Sequence, residues 1–187
     1  LLFMAHAYYA DIDFIDARDC LLHAAPMSHG SGLYAIAHIA RGSHQVVYPG
    51  FEPEEILKAF AERSNCSMFA APTMVTRLLN YAGAGSSDTS GLKTLIYGGA
   101  PMYVSDLKRG LQMLGPKFYG LYGQGESPMT ISGLSKAMLA DQKHPDHELR
   151  LGSAGIARTG VAFRVVDGEN RDLPADEVGE IITRSDC

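Results

Sequence analysis

The chain has 187 residues, of which 46% are hydrophobic and 20% are charged, and its formal net charge at pH 7 is -5. This composition is typical of a folded globular protein with a sizeable core, and it excludes an intrinsically disordered chain. The acidic balance and the scattered placement of lysines and arginines argue against nucleic acid as a partner.

The cysteines and the apolar runs restrict the class of protein further. The three cysteines, Cys20, Cys66 and Cys187, lie far apart and form no CxxC pair. The sequence therefore predicts neither a disulfide framework nor a zinc site, and it favours a reducing compartment such as the cytoplasm. No apolar run reaches the roughly 18 residues that a membrane-spanning helix needs, so we expect no membrane span.

Residues 1–122 alternate between short apolar runs typical of buried strands and longer patterns typical of helices. Helices are expected at 1–9, 33–40, 53–63, 74–79 and 103–114. Strands are expected at 20–25, 45–48, 67–71, 92–97 and 117–122. This alternation predicts an α/β fold, in which a mostly parallel sheet is flanked by helices on both faces.

The pattern changes after Gly133. Residues 136–150 are charged and contain histidines, whereas 161–166 and 180–184 alternate or carry β-branched residues on either side of a turn-rich segment. Such runs are typical of a short antiparallel β segment. We therefore expect an α/β subdomain over residues 1–150 and the start of a β-rich subdomain over residues 151–187.

Three glycine-bearing loops, MSHGSG (27–32), GGAP (98–101) and YGQGES (122–127), each follow a predicted strand. Because the carboxyl ends of parallel strands share one edge of a sheet, these loops are expected to converge on a ligand crevice. Gly123 and Gly125 are expected to end the last strand and to let a ligand approach the main-chain N–H groups. Glu126 follows as a carboxylate suited to a divalent cation. An ordinary strand-to-helix turn is the alternative for this loop.

Other chemistries are represented only by incomplete motifs. The segment HGSG at 29–32, together with Ser127, suggests a hydrolase, but the chain has no G-x-S-x-G nucleophile elbow. GQGESP lacks the last glycine of the dinucleotide fingerprint, and no G-x-x-x-x-G-K-[ST] loop is present. The histidines at 144 and 147 are more typical of a solvated loop than of a metal site. Three further histidines lie in apolar runs, as core or boundary histidines do: His6, His23 and His38.

Four segments occur in the order and spacing of one known family: APMSHGSG, YGGAP, YGQGESP and DLPADEVGEIITR. Together they make nearly the whole chain resemble the adenylate-forming superfamily of acyl-CoA synthetases, luciferases and peptide-synthetase adenylation domains. Within it, the chain is most similar to AMP-forming fatty-acid or carboxylic-acid CoA ligases. The resemblance implies an enzyme that joins a carboxylate to the α-phosphate of ATP, releases pyrophosphate and passes the acyl group to coenzyme A. It also implies ATP or AMP and Mg²⁺ as cofactors.

The resemblance assigns roles to three groups of residues. One group would bind the nucleotide, with Tyr122 stacking on adenine: Gly98, Gly99, Ala100, Pro101, Tyr122, Gly123, Gln124 and Gly125. A second group would contact the carboxylic acid: His29, Gly30, Ser31, Gly120 and Leu121. Glu126 would hold Mg²⁺, which neutralises charge on the transferring phosphates, and would be catalytic in that sense.

The chain also departs from the family pattern. The family motif Tyr-Gly-x-Thr-Glu has a phosphate-binding threonine where this chain has Gly125. The family's phosphate loop with its lysine is expected before Leu1, and its ribose-binding aspartate and C-terminal domain are expected after Cys187. We therefore expect a piece from the middle of the large N-terminal domain, which needs the remainder of that domain and the C-terminal domain as partners and is inactive alone. The alternative is a non-catalytic nucleotide-binding or scaffolding module.

Overall fold

A computed structural model describes all of residues 1–187, in seven α-helices and nine strands. The helices are α1 (Leu2–Asp11), α2 (Ala35–Ile39), α3 (Pro53–Glu62), α4 (Pro72–Asn80), α5 (Val104–Leu114), α6 (Lys136–Ala140) and α7 (His147–Leu151). The strands are β1 (Cys20–His23), β2 (His44–Val47), β3 (Cys66–Ala70), β4 (Leu92–Tyr97), β5 (Phe118–Gln124), β6 (Ser127–Leu134), β7 (Ile156–Ala157), β8 (Ala162–Val166) and β9 (Glu180–Arg184). No helix has both the length and the apolar character needed to cross a bilayer.

Seven strands form one sheet in the order β2-β1-β3-β4-β5-β6-β7. The first five run parallel to their neighbours, whereas β6 is antiparallel to β5 and β7 is antiparallel to β6. The strands β8 and β9 pair antiparallel in a separate sheet. The structure therefore confirms the predicted α/β fold with a mostly parallel sheet and a short antiparallel segment. The division into subdomains at residues 1–150 and 151–187 stays a prediction.

Helices cover both faces of the large sheet, and each face has its own apolar core. One core of 24 buried residues joins α3, α4 and α5 to the sheet. The other, of 12 buried residues, joins α1 and α2 to the opposite face. Successive strand residues explain this division, since Leu21 packs in the second core and Leu22 in the first. The helices α3 and α4 both begin with a proline, where a missing N–H is harmless.

The largest difference from the sequence prediction is at the end of β5. The sequence predicted that Gly123 and Gly125 end the strand. β5 instead continues through Gly123 to Gln124, and Gly125 and Glu126 form a two-residue turn into β6. The register shifts at Gly123, where a Cβ would collide with the backbone of Met129. Gly123 is therefore needed for a β-bulge, and the loop is a hairpin rather than a strand-to-helix turn.

A buried arginine ties the hairpin to the first helix. Arg158 is 3% exposed, and its guanidinium donates hydrogen bonds to the carbonyl oxygens of Ala7 (2.6 Å) and Met129 (2.5 Å). Its Nε donates to Oδ2 of Asp11 at 3.1 Å. Every partner of this cation is therefore fixed within the fold, as a buried charge requires.

His38 is a second buried polar group, and its environment favours the neutral ring. Its Nδ1–H donates to Oγ of Ser43 at 2.7 Å, and its Nε2 accepts a longer bond of 3.4 Å from the hydroxyl of Tyr8. Ser43 itself donates to the carbonyl of His44, which leaves its oxygen free to accept from His38. Burial lowers the pKa of His38 to about 4, because the charged form is poorly solvated there.

This shift predicts a pH dependence of stability. Since the folded pKa of His38 lies below that of an unfolded histidine, its contribution is complete above about pH 6.5 and is lost as the pH falls towards 4. We expect this loss to be about 3 kcal/mol of the free energy of unfolding. Urea denaturation across this range should show a shallower pH dependence for His38→Gln. The exposed His6→Gln variant should follow the wild type, and parallel curves for all three proteins would contradict the assignment.

Candidate functional site

A cavity of about 420 Å³ opens at the carboxyl ends of β4 and β5. Four segments wall it, from the end of β4, from β5, from β6 and from the end of α7. The lining residues are Tyr97, Gly99, Ala100, Pro101, Met102, Gly120, Leu121, Tyr122, Gly123, Leu134, Leu151, Gly152, Ser153 and Ala154. The cavity thus lies where the parallel part of the sheet meets the antiparallel hairpin.

Glycines leave room for neighbouring groups where β4 and β5 pair beside this cavity. Tyr97 and Gly120 are in register, and a Cβ on Gly120 would lie 2.6 Å from the Tyr97 hydroxyl oxygen. Similarly, a Cβ on Gly98 would lie 2.8 Å from the carbonyl oxygen of Leu121. Both positions therefore exclude a side chain, and the cavity floor is made of main chain and one tyrosine ring.

The GGAP segment forms the rim of the cavity above β4. Gly99 has a φ of 83°, in the left-handed region that other residues rarely adopt. Gly99, Ala100 and Pro101 are exposed and line the cavity together. The rim is therefore formed by exposed residues with little or no side chain beyond Cβ, apart from the ring of Pro101.

The end of β5 forms the facing wall. The ring of Tyr122 lines the cavity, and its hydroxyl oxygen accepts a hydrogen bond of 2.5 Å from the side-chain amide of Gln124. The bulge at Gly123 lies between the two residues, and the hydrogen bond shows that their side chains still meet. Gln124 thus contacts the Tyr122 hydroxyl at the edge of the cavity. Gly125 and Glu126 are exposed at the hairpin tip, outside the cavity lining.

The structure offers no ready-made cage for a metal ion. No group of three or more His, Cys, Asp or Glu side chains is placed to hold one. The carboxylate of Glu126 is exposed and makes no ion pair. A single carboxylate of this kind fits Mg²⁺ that arrives with phosphate oxygens and water as its other ligands.

The MSHGSG loop after β1 does not line the cavity. His29 is exposed, and its Nδ1 lies 2.9 Å from Oγ of Ser28. A Cβ on Gly30 would lie 2.5 Å from the ring of Phe69, so this glycine packs directly on β3. Of the three glycine-bearing loops, two therefore meet at this cavity. The roles predicted for His29, Gly30 and Ser31 stay predictions.

Ser31 belongs to a buried hydrogen-bond chain. Nδ1 of His23 lies 2.8 Å from Oγ of Ser31, and Nε2 of His23 lies 2.8 Å from Oε1 of Gln45. Because the amide oxygen of Gln45 only accepts, His23 carries its proton on Nε2 and accepts from Ser31. Ser31 is 1% exposed. His23 is thus a satisfied core histidine. Ser127, the serine of the hydrolase interpretation, is 3% exposed, and its Oγ lies 2.8 Å from Oγ1 of Thr130. Its hydroxyl is therefore out of reach of an ester, which argues against a hydrolase.

Sequence reasoning missed the fourth wall of the cavity, residues 151–154. They begin at the last residue of α7, and this segment was itself interpreted only as a boundary between subdomains. The available signal was the run of small residues Gly152, Ser153, Ala154 and Gly155 directly after an apolar helix end. Such a run lets another surface approach the backbone closely, as in the loops that were recognised.

Comparison with known proteins finds relatives that match nearly the whole chain. The family model described as AMP-binding enzyme matches residues 1–187. The medium/long-chain-fatty-acid–CoA ligase FadD8 of Mycobacterium tuberculosis is 29% identical over 166 residues, covering 88% of this chain and 28% of that protein. The medium-chain fatty-acid–CoA ligase of Escherichia coli is 29% identical over 188 residues, covering 98% and 31%. The chain thus spans about a third of the length of these curated relatives.

Solved structures share the fold. The amide bond synthetase McbA from Marinactinospora thermotolerans superimposes with a TM-score of 0.83 at 24% identity, covering 97% of this chain and 35% of that one. The N-terminal domain of FACL13 from Mycobacterium tuberculosis gives a TM-score of 0.82 at 23% identity, covering 99% and 44%. At these identities the likeness shows the fold alone.

The close approach of β4 and β5 can be tested by adding a methyl group to the floor. Gly120→Ala should lower the free energy of unfolding by about 1 to 3 kcal/mol, because the new Cβ displaces the Tyr97 ring. Gly125→Ala is the matched control, since no atom lies within 4 Å of its Cβ position. Urea denaturation measures both variants. Equal stability of the two variants would contradict the placement of the Tyr97 ring over Gly120.

Proposed function

We propose, since the chain belongs to the AMP-binding enzyme family, that it is the pocket-bearing part of an AMP-forming CoA ligase acting on a carboxylic acid, in particular a fatty acid. The observation that carries the proposal is that one cavity is walled by both Gly99–Ala100–Pro101 and Tyr122. These are two of the segments on which the family resemblance rests. Curated relatives of similar coverage include fatty-acid CoA ligases.

The nucleotide would lie at the mouth of the cavity. Its adenine would sit between the Tyr122 ring and the backbone around Gly99, where a flat surface faces an aromatic one. Four further residues would complete this half of the site. Gly98 would leave room for Leu121, Gly123 would form the bulge, and Gln124 would contact the Tyr122 hydroxyl. Gly125 would offer its main-chain N–H in place of the family's threonine hydroxyl.

Glu126 would hold Mg²⁺ together with the phosphates of ATP. Its carboxylate is exposed at the hairpin tip, just beyond the Tyr122 wall. When bound, the ion would neutralise charge on the phosphates as pyrophosphate leaves. A single protein carboxylate is typical of Mg²⁺ sites that are completed by a nucleotide.

The carboxylic acid would occupy the inner part of the cavity, over Gly120 and beside Leu121. Leu134 and Leu151, which are 1% and 2% exposed, give this part an apolar wall suited to an acyl chain. The acid's carboxylate oxygen would attack the α-phosphate, forming the acyl-adenylate and releasing pyrophosphate. The thiol of coenzyme A would then attack the acyl carbon, releasing AMP. The task of these residues is to bind and orient the two reactants.

By the family resemblance, the phosphate loop with its lysine and the C-terminal domain would lie in the rest of the protein. This agrees with the span of about a third of the relatives' length. A cytoplasmic location also stays a prediction. A second candidate function, a nucleotide-binding or scaffolding module without catalysis, is favoured by one observation: Gly125 offers no hydroxyl to a phosphate.

The activity of the full-length protein should depend on a carboxylic acid. We expect pyrophosphate release from ATP and Mg²⁺ only when a suitable acid is present, with medium- and long-chain fatty acids as the first panel. Pyrophosphate is measured by a coupled assay, and AMP and the acyl-CoA by chromatography. Binding of AMP by calorimetry without acid-dependent release from any member of the panel would support the non-catalytic module instead.

Glu126→Gln tests the assigned role of the hairpin tip. The variant should release pyrophosphate about 100-fold more slowly, because it loses charge stabilisation at the transferring phosphates. The Mg²⁺ concentration that gives half of the maximal rate should rise, while the rate of transfer from a supplied acyl-adenylate to coenzyme A should change little. Glu177→Gln, another exposed glutamate, is the matched control. An unchanged first half-reaction in Glu126→Gln would rule out the role.

A further inference from the structure

Residues 152–154 of the fourth wall lie at the mouth of the cavity. All three are exposed and line the cavity, as Gly99 and Ala100 of the rim do. Leu134, which lines the inner part, is by contrast buried. Tyr122, on the facing wall, is half-buried. A molecule bound between the rim and Tyr122 therefore has this wall within its reach from the solvent side.

The wall is fixed at both ends by contacts with the rest of the fold. The hydroxyl of Ser132 in β6 donates a hydrogen bond of 2.7 Å to the carbonyl oxygen of Ala154. Gly155 has a φ of 86°, and a Cβ there would lie 2.1 Å from the carbonyl oxygen of Gly133. Leu151, the last residue of α7, is buried in the core. None of these contacts uses the methyl group of Ala154, which belongs to neither apolar core.

The polar side chains of the cavity wall offer little to a bound nucleobase. Only three lining residues carry a hydroxyl: Tyr97, Tyr122 and Ser153. Tyr97 is buried. The Tyr122 oxygen already accepts from Gln124, and the Ser153 hydroxyl donates to the carbonyl oxygen of Arg150 at 2.9 Å. Discrimination between bases therefore rests on the shape of the walls and on main-chain groups.

The main chain of residues 152–154 has such groups to offer. The N–H of Ala154 donates no hydrogen bond within the protein, and the carbonyl oxygens of Gly152 and Ser153 accept none. Adenine carries an amino donor on its edge, whereas guanine carries an oxygen at the same place. Unpaired carbonyl oxygens are therefore suited to the edge of an adenine.

We propose that residues 152–154 close the edge of the adenine site, and that Ala154 determines by its small size which bases and base substituents the site accepts. This inference rests on the proposed nucleotide site. A base between the Tyr122 ring and the Gly99 rim has its two faces covered, so its edges meet the remaining walls of the mouth. A methyl group at residue 154 leaves room for adenine, whereas a larger side chain occupies the place of the base edge.

Ala154→Leu tests the role of this wall in the full-length protein. The KM for ATP should rise about tenfold, because the added side chain fills space that the base needs, while the KM for the acid should change little. Both constants come from pyrophosphate release with one substrate varied and the other saturating. Ala140→Leu, at an exposed alanine that ends α6, is the matched control and should follow the wild type. Thermal stability should be the same in all three proteins.

Methylated ATP analogues give a readout in the opposite direction. Analogues with a methyl group at N6, C2 or C8 of the base are compared with ATP, and the wild type should reject one of them most strongly. Ala154→Gly should raise kcat/KM for that analogue about tenfold, since it removes one methyl group from the wall, and leave the value for ATP unchanged. An unchanged KM for ATP in Ala154→Leu, or no effect of Ala154→Gly on any analogue, would overturn the inference.

Failure of the proposed ligase activity has a different signature. If the wild type releases no pyrophosphate with any acid, calorimetric titration with AMP decides the matter. Binding that is about tenfold weaker in Ala154→Leu and intact in Ala140→Leu would support the wall in a nucleotide site that is not a ligase. Equal binding of AMP by both variants, or no binding by the wild type, would count against it. Acid-dependent release with an unchanged KM for ATP in Ala154→Leu would leave the ligase standing and remove only the role of the wall.

Discussion

The site depends on aromatic rings that lie directly over glycines of neighbouring strands. On one face of β5, the Tyr97 ring covers Gly120, and on the other face the Tyr119 ring covers Gly133 of β6. Neither glycine could carry a Cβ without moving the ring above it. The backbone ladders set the spacing of β4, β5 and β6, and the missing Cβ atoms leave room for the two rings to lie flat against the neighbouring strand. Each ring buries a large apolar surface there, which stabilises this part of the sheet beside the cavity.

A second constraint acts from outside the cavity. The bulge at Gly123 faces Met129, which has a φ of 52° and thus an unfavourable backbone conformation for its type. The guanidinium of Arg158 accounts for its persistence, because it donates to the Met129 carbonyl and is itself held by Asp11 and the Ala7 carbonyl. The end of β5, and with it the ring of Tyr122, is placed by an arginine that touches none of the ligand-facing surface. A charge this deeply buried keeps its partners, since separating them leaves each unsolvated.

The sequence was sufficient for the parallel part of the sheet and its helices, because the signals there are local, but it did not predict β6, β7, α6 or α7. Buried parallel strands appear as continuous apolar runs, and a proline such as Pro53 marks a helix start on its own. The hairpin was not predictable in this way. Gly123 looks like a strand end, and Pro128 looks like a helix start, until Met129 is known to lie opposite Gly123. The wall at residues 151–154 escaped for the same reason, because its place in the site depends on packing against strands distant in sequence. The motifs located two of the cavity's walls, and only the contacts located the others.

The cavity combines two kinds of surface. Its rim at Gly99 and Ala100 is exposed main chain, and the Tyr122 hydroxyl beside it accepts a hydrogen bond from Gln124. Deeper in the wall, Leu134 and Leu151 are almost completely buried, and the Tyr97 ring packs edge-to-face on Phe118. Under the proposed function, the rim would bind the nucleotide and the apolar wall would contact the acid. The acid would then be selected by side-chain volume, which can change without altering the main chain of the rim.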